Sequence, residues 1–193
     1  MKHIIAFFGI MAVMVSTAVA GGDIAPVEPV VEQPKNFYVG GALTASQVYD
    51  QGDSHWFNDT ASAETGYGLG VQAGYVFFRT GDFSSAVEVR ANRTFWSFAD
   101  DVDGEVTSYG AFVKPEYSFG DYGVYGLVGY GQTRLTGTGF KQTENGFAYG
   151  GGVEYALTES FAVFVDYVVN PEIKETPKDI ENDTISIGVN YKF

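Results

Sequence analysis

From Phe37 to Phe193 the chain repeats one pattern that leaves it few ways to fold: side chains alternate with a period of two, and one of the alternating faces is rich in glycine. The run TGYGLGVQAGYVFF (65–78) sets Tyr67, Leu69, Val71, Ala73, Tyr75 and Phe77 against Gly66, Gly68, Gly70, Gln72, Gly74 and Val76. A period of two belongs to a strand, whose successive side chains point to opposite sides of a sheet. A helix needs apolar residues at three- and four-residue spacing, and no stretch after residue 36 sustains it.

Eight such runs follow one another: 37–46, 65–78, 84–98, 105–119, 124–135, 146–157, 161–169 and 184–193. The connections between them alternate, starting long at 47–64 and then falling to RTGDF, ADDVDG, GDYG, TGTGFKQTEN, TES and NPEIKETPKDIEND. Short turns on one side and longer loops on the other predict an all-β fold, an eight-stranded antiparallel up-and-down barrel. Such a barrel needs no disulfide, and the chain has no cysteine to form one.

Alternation alone does not say which face meets water, because a soluble barrel and a transmembrane barrel share the period of two. The glycine face decides for the membrane: a water-facing surface would carry charges, whereas small residues suit a lumen that eight strands leave only just wide enough for side chains. The run FAVFVDYVV sets Phe161, Val163, Val165, Tyr167 and Val169 outward with no charge among them, and the last run does the same with Ile185, Ile187, Val189, Tyr191 and Phe193. Aromatics gather at both ends of the runs, with Phe37, Phe77, Phe119, Tyr155, Phe161 and Phe193 on the short-turn side. Tyr67, Phe95, Tyr109, Phe147 and Tyr167 lie toward the loops. Two interfacial girdles have this form.

The first twenty residues, MKHIIAFFGIMAVMVSTAVA, combine Lys2, an apolar run from Ile4 to Val15 and an Ala18-Val19-Ala20 site, the pattern of a secretory signal peptide cleaved after Ala20. Residues 21–36, GGDIAPVEPVVEQPKN, hold three prolines and scattered acids and read as an extended periplasmic tether. The barrel then occupies 37–193. A formal charge of -13, with 24 acids against 11 Lys and Arg, leaves no basic surface for nucleic acid.

Inward positions are expected to hold Glu88, Arg90, Lys114, Glu116, Glu154, Asp166 and Lys192, with Arg134 added in the preferred frame of the fifth run. Unpaired buried charge is costly, so these acids and bases are expected to pair into a cross-barrel network that plugs the lumen. Separate solvation in a wet lumen is the alternative. Three places resist the scheme. Arg93 falls on the lipid face of the third run, where a site near the interface costs about 0–1 kcal/mol against about 2–4 at the midplane. Pro115 lacks a donor and suggests a bulge near the short turns. In the fifth run Tyr125 and Leu127 compete with Val124, Val128 and Tyr130 for the outward set.

The remaining acids collect in loops, among them Asp50, Asp53, Asp59, Glu64, Asp100, Asp101, Asp103, Glu105, Glu144, Glu172, Glu175, Asp179, Glu181 and Asp183, so the rim is expected to be acidic. The segment Asp100-Asp101-Val102-Asp103-Gly104 lacks the spacing and twelfth-position Glu of a calcium loop, and no metal or cofactor is expected. His55, beside Asp53 and Ser54, is the one histidine after the signal, and neighbours in sequence do not make a catalytic triad.

The signal peptide, tether, eight runs and terminal Ser186-Ile187-Gly188-Val189-Asn190-Tyr191-Lys192-Phe193 resemble the small Gram-negative outer-membrane barrels of the OmpA/OmpX-like group. The resemblance implies a monomer in the outer membrane with both termini in the periplasm, four surface loops and contact with outer-membrane lipids including lipopolysaccharide. It departs from full-length OmpA in having no peptidoglycan-binding domain after Phe193, so cell-wall anchoring is not expected. It also implies that Ser186, Gly188, Tyr191 and Phe193 form the signal read by the barrel assembly machinery and periplasmic chaperones. The implied role is structural or surface interaction rather than catalysis. A small porin-like channel and, more remotely, a lipid-modifying barrel are the alternatives.

Overall fold

The computed structural model describes residues 35–50, 64–94, 104–137, 140–172 and 180–193. The expected signal peptide, all but the last two residues of the tether, Phe95, His55 with its neighbours, and the loop acids at Asp53, Asp59, Asp100, Asp101, Asp103, Glu175 and Asp179 lie outside them.

Eight strands form: β1 Phe37–Asp50, β2 Glu64–Thr80, β3 Phe83–Thr94, β4 Gly104–Phe119, β5 Tyr122–Gly137, β6 Phe140–Ala156, β7 Phe161–Val169 and β8 Ile180–Lys192. Each pairs antiparallel with its sequence neighbours, and β8 closes on β1 with Tyr38 opposite Lys192 and Asp50 opposite Ile180. The sheet therefore has no open side along this seam, which disposes of the unpaired edge that a lone sheet exposes. The last backbone amide takes part, Phe193 N–H donating to Phe37 O at 2.9 Å.

At the turn end, β2–β3 and β4–β5 are joined by two residues each, Gly81-Asp82 and Gly120-Asp121. Gly81 and Gly120 have φ of 55° and 64°, the left-handed region that hairpin turns of this length require. A Cβ at either site would meet nothing within 4 Å, so conformation rather than space selects glycine there.

Burial inverts the order of a soluble protein. Outward side chains are apolar and bare, Phe147 being 80% exposed, with Val71, Val89, Val128 and Ile187 also open. Glu88 at 2%, with Lys114, Glu154 and Asp166, lies buried inside. Exposed apolar area on this scale is stable only against lipid. Aromatic pairs crowd the turn end, including Phe37–Tyr75, Tyr117–Phe119, Tyr122–Tyr155, Phe161–Tyr191 and Tyr191–Phe193, with centroids 4.7–5.7 Å apart. Tyr130 and Phe147, 6.1 Å apart, stand toward the loop end with Tyr67 and Tyr109.

Two expectations are corrected. The ladder of β4 and β5 lapses at Pro115, which has no N–H to give, but Val113↔Val128 and Glu116↔Tyr125 keep one register, so there is no bulge. The irregularity lies instead between Val76 and Phe78, where the extra residue turns both Phe77 and Phe78 outward. The segment expected as a loop at 136–145 is mostly strand, paired as far as Gly137↔Phe140. A strand that continues beyond the apolar band can be polar on both faces, so polarity alone misplaces its end.

Candidate functional site: a charged layer across the lumen

The inward parity of β3 puts Glu88 and Arg90 on one side of the strand, two residues apart. Arg90 Nε bonds to Glu88, and its Nη1 reaches Asp166 Oδ2 at 2.7 Å on the far side of the lumen. Tyr38 O–H donates to Glu88 at 2.6 Å, Tyr125 O–H donates to Asp166 at 2.9 Å, and Phe112 lies under the Arg90 guanidinium at 6.0 Å.

Toward the turn end a second group forms around Lys114. Its Nζ is 3.3 Å from both Glu116 and Glu154, and Glu154 also accepts from Lys192 at 2.5 Å and from Asn190 at 3.0 Å. Gln72 donates to Asn190 at 2.7 Å. The Lys114 ammonium lies 4.0 Å from the Tyr125 ring centroid and 5.3 Å from that of Tyr38, within cation–π range of both. The two tyrosines thus join the groups, each offering its ring to Lys114 and its hydroxyl to a carboxylate of the other.

Every strand contributes: Tyr38 from β1, Gln72 from β2, Glu88 and Arg90 from β3, Lys114 and Glu116 from β4, Tyr125 from β5, Glu154 from β6, Asp166 from β7, and Asn190 and Lys192 from β8. The inward glycines make room for it. A Cβ on Gly74 would come within 2.2 Å of the Tyr38 ring, and one on Gly152 within 2.6 Å of Asp166 and 2.7 Å of the Tyr125 hydroxyl. Beside the charges, Phe112, Tyr125, Leu127, Ala148 and Val168 form a buried apolar cluster. Toward the loop end the lining turns neutral, with Thr44, Ser46, Ser108, Thr133, Asn182 and Thr184 all buried.

Of the charges assigned inward from sequence, Glu88, Arg90, Lys114, Glu116, Glu154, Asp166 and Lys192 occur in these contacts, and Arg134 does not. Tyr125 and Leu127 take the inward side of β5 and Thr133 stays in phase with them, so Arg134 stands on the outward parity with Val124, Val128 and Tyr130. A one-residue frame error moves every side chain to the other face. Arg93 is outward, with its side chain 59% exposed, and bonds to Glu105 at 2.7 Å, which in turn accepts from Thr107 at 3.1 Å. Glu105 is thus a strand residue rather than a loop acid. At the C-terminus Ser186 and Gly188 face inward, while Tyr191 and Phe193 are exposed outward with rings 5.7 Å apart.

Sequence reasoning passed over Tyr38, Gln72, Tyr125 and Asn190 as partners of the charges. Tyr38 was findable as a bulky residue on the inward parity of the first run, and Gln72 and Asn190 as polar residues on the inward faces of the second and last runs.

A model of the outer membrane protein beta-barrel domain matches residues 5–193. The chain belongs to this family. It is an outer-membrane β-barrel, and the neighbours in structure agree. The neisserial surface protein A crystal structure superposes with a TM-score of 0.61 at 22% identity, covering 81% of this chain and 97% of that one. Ail of Yersinia pestis, crystallised with the heparin analogue sucrose octasulfate, gives 0.57 at 18% identity, covering 82% and 98%. At these identities the likeness is one of fold. No curated protein matches at the level of sequence. Among the described residues no group of His, Asp and Glu is placed to hold a metal ion.

Proposed function

We propose that this is a non-enzymatic barrel, monomeric and with both termini in the periplasm, whose lumen is closed and whose work is done at its surfaces. The observation that carries the reading is the Lys114 ammonium held between Tyr38 and Tyr125 within a layer to which all eight strands contribute. For an ion to pass, Arg90 must leave Glu88 or Asp166, or Lys114 must leave Glu154. Separating such a pair costs about 3–5 kcal/mol when its partner stays buried.

The acids of the loops favour a cationic partner or divalent cations at the rim. They oppose a polysulfate such as the one bound in the Ail crystal. The outward-facing Tyr191 and Phe193 suit recognition by the barrel assembly machinery and its chaperones, and the lipid-facing wall suits outer-membrane lipids including lipopolysaccharide.

A small channel is the second reading, favoured by the hydroxyl-lined loop half of the lumen, where Thr133 Oγ1 and the Asn182 amide have no hydrogen-bond partner among the described residues. Conductance of the refolded protein in a planar bilayer separates the two. The closed reading expects no steady current above the bilayer background, and a large sustained conductance would overturn it. Lipid analysis tests the absence of catalysis: cells with the wild type and with His55→Ala should carry identical lipids.

A further inference from the structure

The lipid-facing wall is not evenly filled. On three adjacent strands the outward position is an alanine: Ala73 on β2, Ala91 on β3 and Ala111 on β4, linked by the registers Ala73↔Val89, Val71↔Ala91 and Val89↔Ala111. Ala73 and Ala91 line a groove of ≈ 810 Å³, walled by Val71 on one side and by Tyr109 and Tyr130 on the other, and Ala111 lines the hollow beside it. This second hollow, of ≈ 460 Å³, shares Ala73 and Val89 with the groove and continues toward Phe37 and Tyr75 at the turn end.

The groove changes character at its loop end. Gln132 and Asn145, bonded to each other at 2.9 Å, form part of its lining there. One outward step beyond stand Arg93, two residues past Ala91, and Arg134, two residues past Gln132. They flank Thr107 in the register Arg93↔Thr107↔Arg134, and the partly exposed Glu105 carboxylate, bonded to Arg93 at 2.7 Å and to the Thr107 hydroxyl at 3.1 Å, is the anion that a phosphate would displace there. Adjacent strands lie about 4.7–4.9 Å apart, so the two arginines rise from the wall roughly 10 Å from each other. Arg134 Nε has no hydrogen-bond partner among the described residues. Lys141, outward and exposed on β6, adds a third cation to this rim.

An apolar trough surmounted by two guanidinium groups has the shape and charge order of one lipid molecule. The geometry points to a specific site for a phosphorylated lipid of the lipid A type, with an acyl chain lying over Ala73, Ala91 and Ala111 and a phosphate between Arg93 and Arg134. Lipid tails are as apolar as the wall, so the groove itself supplies only packing, and the preference for one lipid comes from the headgroup. Arginine suits that task because its planar fork meets phosphate oxygens in pairs. The inference rests on the proposed orientation, which puts the loop end in the leaflet where such lipids reside.

The test uses the full mature chain, refolded in zwitterionic micelles and titrated with bisphosphorylated lipid A, with its dephosphorylated form and with phosphatidylglycerol, bound lipid being counted by native mass spectrometry. Bisphosphorylated lipid A should bind at least tenfold more tightly than either control. The double variant Arg93→Gln/Arg134→Gln should lose that preference. Ala91→Phe/Ala111→Phe, which fills the trough and leaves both cations in place, should weaken retention of the same lipid. Equal binding of the three lipids, or wild-type binding by both double variants, would overturn the site. Orientation is read separately. The chain has no cysteine, so labelling of Thr158→Cys at the turn end and Thr136→Cys at the loop end, both exposed, in intact cells reports which end is outside. If only the turn end labels, the orientation fails while the micelle titration still judges the site.

Discussion

Arg90 is the position at which the charged layer is most exposed to a single change. It bonds at once to Glu88 and Asp166, two carboxylates whose side chains have no solvent access. Arg90→Met keeps an unbranched apolar stem as far as the Nε position and removes the charge, leaving both acids buried without their cation. Breaking one buried ion pair by removing a partner costs about 3–5 kcal/mol. Two pairs break here, but the loss is not doubled, because Tyr38 and Tyr125 still donate to the same carboxylates, and hydrogen bonds to charged groups are worth about 1.5–3 kcal/mol each. The expected destabilisation is therefore about 3–5 kcal/mol, which at a slope of about 2 kcal/mol per molar urea lowers the unfolding midpoint by about 2 M. The barrel refolded in lipid vesicles and followed by circular dichroism in urea gives this number directly. The companion variant Glu88→Gln/Arg90→Met/Asp166→Asn removes all three charges together. A buried charged triad replaced by neutral groups of similar volume is often nearly neutral, so the triple variant should recover to within about 0.5 M of the wild type. If Arg90→Met alone shifted the midpoint by less than about 0.3 M, or if the single and triple variants coincided, the claim that these charges hold one another in place would be refuted.

Further outcomes follow from the same geometry. Gly74→Ala drives a methyl into the Tyr38 ring and should cost about 1–3 kcal/mol, read as a lower urea midpoint, whereas in a Tyr38→Ala background the same substitution should cost less than about 0.5 kcal/mol. Deleting Phe193 should lower the amount of barrel in the outer membrane far more than it lowers the unfolding midpoint of refolded protein, and unchanged membrane levels would contradict the assembly role of that residue. Glu105→Gln should change stability by less than about 1 kcal/mol, because the Arg93–Glu105 pair is solvent-exposed.

The strand count and the sidedness of the wall were legible because they rest on local alternation, and the charged layer was legible as far as its charges. Its uncharged partner Tyr125 was not. Tyr125 and Leu127 sit on an inner surface that is itself apolar between β4 and β7, so polarity could not fix the frame of β5. Arg134 was misplaced by the same frame. The pairing of Arg93 with Glu105 needs the register of β3 against β4, which the sequence does not print. Pro115 was legible as a missing donor. Across the ladder the Pro115 ring meets no crowding at Gly126, where even an added Cβ would stand at an ordinary 3.8 Å from Cγ, so the missing donor alone did not indicate a bulge.

The seam between β1 and β8 also sets a clock. Tyr38 finds Lys192, and Phe37 finds Phe193, only after all the intervening chain has been delivered, and pairings between such distant residues are slow to form. Until then Glu154 lacks Lys192 and Asn190, and two apolar-faced strands lie open to any other chain that passes. A barrel lacking β8 would expose these edges to other chains until the seam closes. Holding the first strand until the last arrives is the task that the proposed assembly machinery and chaperones would perform.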